Sequence, residues 1–132
     1  MANYTIPKQS KFSVVAAGNI SLGQGGAVFV DASTATAVRP PTSAVFIAIT
    51  FLEDTIFDAT GGGTAGLKAE DENQYINTEA AAHNEADGAA TATQGELGAI
   101  IDASNTFPQG ATIFGRWTEI NITSGMLVAY IG

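Results

Sequence analysis

The sequence predicts an all-β domain, and three observations carry that reading. Fifteen glycines and many threonines accompany apolar residues that are mostly small, with leucine scarce; this is a composition of short strands and turns, since helix-rich domains favour Leu, Glu and Lys. Residues 44–57 (AVFIAITFLEDTIF) form the longest run of β-branched and aromatic residues. The segment from Phe107 to Gly132 reads as two apolar strands with proline and glycine at the turns. At 132 residues the chain fits one domain with a single core.

Residues 1–10 are mixed and polar, and Lys8 and Lys11 place two of the five bases within four positions. They predict an arm that orders on an acidic partner, set against the ordinary alternative of a loose terminus. Residues 11–17 (KFSVVAA) read as a first strand, and the four glycines of 18–26 as a turn with a wide loop. Gly23-Gln24-Gly25-Gly26 has the glycines of a phosphate loop but not the Lys-Ser/Thr that follows them in that motif. Residues 27–32 (AVFVDA) read as a second strand, and Arg39-Pro40-Pro41 as a firm break, because both prolines remove ladder donors.

Residues 44–57 are expected to supply the central strand, with Val45, Ile47, Ile49 and Phe51 on the inward face and Ala44, Phe46, Ala48 and Thr50 opposite. Glu53-Asp54 interrupts the run as a turn or bulge. The two carboxylates do not suit acid–base catalysis, since adjacent strand residues point to opposite faces; solvation, or an ion pair with Arg116 or Arg39, accounts for them.

From 58 to 105 the chain becomes acidic and small, with Lys68 its one base. Large apolar residues are too few for a core of its own, so a long surface loop insert is expected. Within it, residues 78–86 (TEAAAHNEA) suggest a short helix capped by Thr78, and 97–101 (LGAII) a strand returning to the sheet. Glu70, Asp71, Glu72 and Asn73 lack the alternating spacing and central glycine of an EF-hand, so a solvated acidic face is the reading preferred over calcium. His83 stands alone, with no second imidazole to form a metal pair.

The C-terminal stretch predicts a β-hairpin: residues 111–122, a turn at Thr123-Ser124-Gly125, then 126–131. Its first strand carries apolar residues on both faces, which suits burial between two sheets or against a second subunit. Gly115 predicts a bulge or a close backbone approach. Arg116 and Trp117 read either as interface anchors or as a core indole beside a paired arginine. Self-association follows from two-faced apolarity in so short a chain.

The run Phe107-Pro108-Gln109-Gly110-Ala111-Thr112-Ile113-Phe114-Gly115-Arg116-Trp117-Thr118, with Thr123-Ser124-Gly125 and the Val128-Ala129-Tyr130 end, resembles the C-terminal ends of small virion structural proteins of tailed bacteriophages, and Phe51–Phe57 resembles an upstream stretch of the same proteins. The likeness covers about a third of the chain and is nearest to head decoration (cement) proteins. It implies a single-domain antiparallel β-sandwich, jelly-roll-like, over residues 11–132, assembled as a homotrimer on the major capsid protein of the outer head. Lys8, Lys11, Phe114, Arg116, Trp117 and Tyr130 are the interface candidates.

Composition excludes several classes. There is no cysteine, hence no disulfide framework and no thiol nucleophile. A net charge of −8 opposes direct nucleic-acid binding, which needs Lys and Arg at the phosphates, and favours a particle's outer surface. No signal segment or bilayer-length apolar run is visible, so synthesis in a host cytoplasm, away from membranes, is expected. No nucleophile–base pair stands out and no cofactor is expected. The competing expectation is a tail or fibre component that binds a receptor or glycan through the acidic insert.

Overall fold

The computed structural model describes residues 24–33, 36–59, 66–71, 74–79 and 99–132, and over these it is all-β, without a helix. Its strands are β1 (Ala27–Asp31), β2 (Phe46–Phe51), β3 (Ile56–Phe57), β4 (Leu67–Ala69), β5 (Thr112–Ile120), β6 (Ile122–Ser124) and β7 (Met126–Ile131). Five of them form one antiparallel sheet in the order β1-β7-β2-β5-β4, and β3 pairs with β6 in a second. The two sheets enclose one core, so the architecture is the expected antiparallel sandwich. The expected strand at 11–17, most of the helix at 78–86 and His83 lie outside the described residues.

Residues 44–57 do supply the central strand, but they divide between the sheets. β2 ends at Phe51, and Leu52 and Glu53 turn the chain by donating their N–H groups to the carbonyl of Met126. Thr55 then exchanges two backbone hydrogen bonds with Phe107, 2.9 and 2.8 Å long. Phe51, Phe57 and Phe107 meet there, Phe51 stacked on Phe107 at 5.0 Å and Phe57 edge-on to both. The predicted faces of β2 also change: Phe46 is buried and Ile47 only half so. The register slips by one residue between Phe46 and Ala48, and such a slip exchanges faces on one side of the irregularity.

The C-terminal segment is not a hairpin. β5 and β7 both flank β2, which lies between them, and the chain crosses from one to the other through the second sheet. Asn121 marks the crossing. Its N–H donates to the Gly66 carbonyl, its carbonyl accepts from the Asp58 N–H, and its side-chain amide reaches the Asp58 carboxylate at 3.2 Å. β6 follows, and Gly125, at φ 95°, reverses the chain into β7. The turn before β5 closes as expected on Gly110, at φ 88°, with the Ala111 N–H donating to the Pro108 carbonyl.

The acidic insert is less superficial than its composition predicts. Within it β4 pairs with the far end of β5, and Leu67 and Ala69 enter the core. Thr78 is buried, and its hydroxyl accepts the N–H groups of Gly66 and Leu67, both at 2.9 Å. Ile101 is buried and donates its N–H to the Asn77 carbonyl, yet residues 99–101 are not part of a strand. A few large residues, spaced far apart, are enough because they complete an existing core and need not build one.

Candidate association face

The outward side of the five-stranded sheet is assembled by register. Residues directly opposite on paired strands share a face, and the pairings Ala27–Tyr130, Tyr130–Ala48 and Ala48–Phe114 set one row across four strands. Phe29–Val128, Val128–Thr50 and Thr50–Thr112 set the next. The hydroxyls of Thr50 and Thr112, 2.9 Å apart, lie together on this side. The inward rows hold Val30, Leu127 and Phe51, all buried.

Two aromatics stand out of this surface. Phe114 is 75% exposed and Phe29 56%, on the flanking strands β5 and β1. Between them β7 and β2 present half-buried Val128, Tyr130 and Thr50 around a buried Ala48. Among the described residues, charge on this side lies toward the margins, including Lys68 opposite Glu119 where β4 meets the far end of β5. At the β1 end the Asp31 carboxylate accepts the N–H and hydroxyl of Ser33. Beyond Phe114 the Arg116 guanidinium holds Glu70 with two bonds, Nε to Oε1 at 3.1 Å and Nη2 to Oε2 at 3.0 Å. That carboxylate raises the Arg116 pKa further above its ordinary value.

Of the residues singled out from sequence, Phe114, Arg116 and Tyr130 therefore come together on one surface. Trp117 does not join them. It is 0% exposed and donates its Nε1 hydrogen to the Ile76 carbonyl at 2.8 Å. The indole fills the core and leaves nothing for a partner to touch. Lys8 and Lys11 lie outside the described residues. Phe29 was not a candidate, although its alternation with Val28 and Val30 in AVFVD already put it on the side of Asp31.

Among the described residues the carboxylates do not gather into a site. Glu53 and Asp54 pair with neither arginine. The Asp54 carboxylate accepts the Gln109 N–H at 2.9 Å, which ties it to the turn before β5, while Arg39 pairs with Glu119. Of the acidic quartet, residues 72 and 73 lie outside the described residues, Glu70 is held by Arg116, and the Asp71 carbonyl accepts the N–H groups of Gln74 and Tyr75 in a turn. Among the described residues no three acidic, histidine or cysteine side chains group as metal ligands. Among them, too, no helix is long and apolar enough to cross a membrane.

No family model matches this sequence, and no curated protein or solved structure matches it either.

Proposed function

We propose that the chain is a non-enzymatic structural accessory of a tailed-phage head, a decoration protein that associates through the outward face of its five-stranded sheet and strengthens the outer lattice. The observation that carries this reading is the exposed pair Phe29 and Phe114 on the outward sheet face, where charge among the described residues lies toward the margins. Apolar side chains displayed together on regular structure mark an association surface, because a soluble protein gains nothing by leaving them wet. The resemblance of residues 107–130 to decoration proteins supplies the setting, the homotrimer, the jelly-roll-like topology and the major capsid protein as partner. A net charge of −8 supports the outer surface of the head over its genome-facing side. Lys8 and Lys11, in an otherwise acidic chain, are the residues that would grip an acidic lattice.

Localisation on the intact particle by electron cryo-microscopy, read with copy number, tests this. Hundreds of copies on the head lattice are expected. A few copies at the tail or at a fibre end would overturn the proposal and turn attention to a receptor or glycan ligand.

A further inference from the structure

We draw no further inference here: the strongest candidate, the outward face of the five-stranded sheet with Phe29 and Phe114 exposed on it, carries nothing beyond the proposal above because nothing in the structure shows what covers it.

Discussion

The indole of Trp117 lies across Gly115, so that a Cβ added at residue 115 would stand 2.6 Å from Cζ2 and 2.9 Å from Cη2. The bulge in β5 between Phe114 and Trp117 brings the ring back over its own strand. A ring fixed in the core and bonded to the Ile76 carbonyl cannot slide away. Gly115→Ala is therefore expected to destabilise the fold by about 1–3 kcal/mol, the usual cost of overpacking a filled core. A urea midpoint equal to that of the native chain would show that the ring yields instead.

Trp117 itself should be dearer to lose. Trp117→Ala is expected to cost about 3–5 kcal/mol through the cavity it opens. Trp117→Phe should cost less but also orphan the Ile76 carbonyl, which gives the loop at 74–79 one of its ties to the core. Faster amide exchange at residues 74–79 in the Phe variant, with little change in β7, is the specific signature; uniform loss of protection would mean that the bond does not hold that loop.

How far these features were legible in the sequence differs from element to element. Apolar runs located β1, β2, β5 and β7, and Gly115 signalled the bulge, because strand alternation and glycine chemistry are local properties; the group that comes close to Gly115 is the Trp117 ring and not the expected backbone. The partner of each strand is not local. The hairpin expected at the C-terminus failed because Asn121 sends the chain into the second sheet, and that crossing depends on Asp58 and Gly66, more than fifty residues upstream. Burial of Leu67, Ala69 and Thr78 was hidden for a related reason: a short strand added to an existing edge needs no hydrophobic run of its own. For the face, Phe114 and Tyr130 were found by residue type, whereas their juxtaposition across Ala48 required the register.

Thr78 offers a test of that hidden packing. Its hydroxyl accepts the N–H groups of Gly66 and Leu67 in a buried setting. Thr78→Val keeps the shape and removes the acceptor, so two donors lose their partner, and a loss of about 1–3 kcal/mol is expected. Thr78→Ser should recover most of it. Equal stability of the Val and Ser variants in thermal unfolding would show that the hydroxyl contributes nothing beyond its volume.

Asp102 gives a pH dependence of known sign. Hydrogen bonds from the Ser104 hydroxyl and then from its N–H lower the Asp102 pKa, since both favour the ionised carboxylate. A depressed folded-state pKa contributes stability above the ordinary carboxylate range, and that contribution is lost as pH falls through the folded value, so the effect is confined to pH below about 4. Ser104→Ala should raise the Asp102 pKa part of the way back, the N–H bond remaining. A carbon-13 titration of the Asp102 carboxyl that does not move in the variant would dissociate the shift from the hydroxyl.

Arg116 and Glu70 form the charged margin of the association face, and their bidentate geometry invites a large energy that their exposure does not support. With side chains 46% and 44% exposed, water and salt screen the attraction, and a double-mutant cycle with Arg116→Ala and Glu70→Ala is expected to give a coupling of only about 0.2–1 kcal/mol, smaller still at high salt.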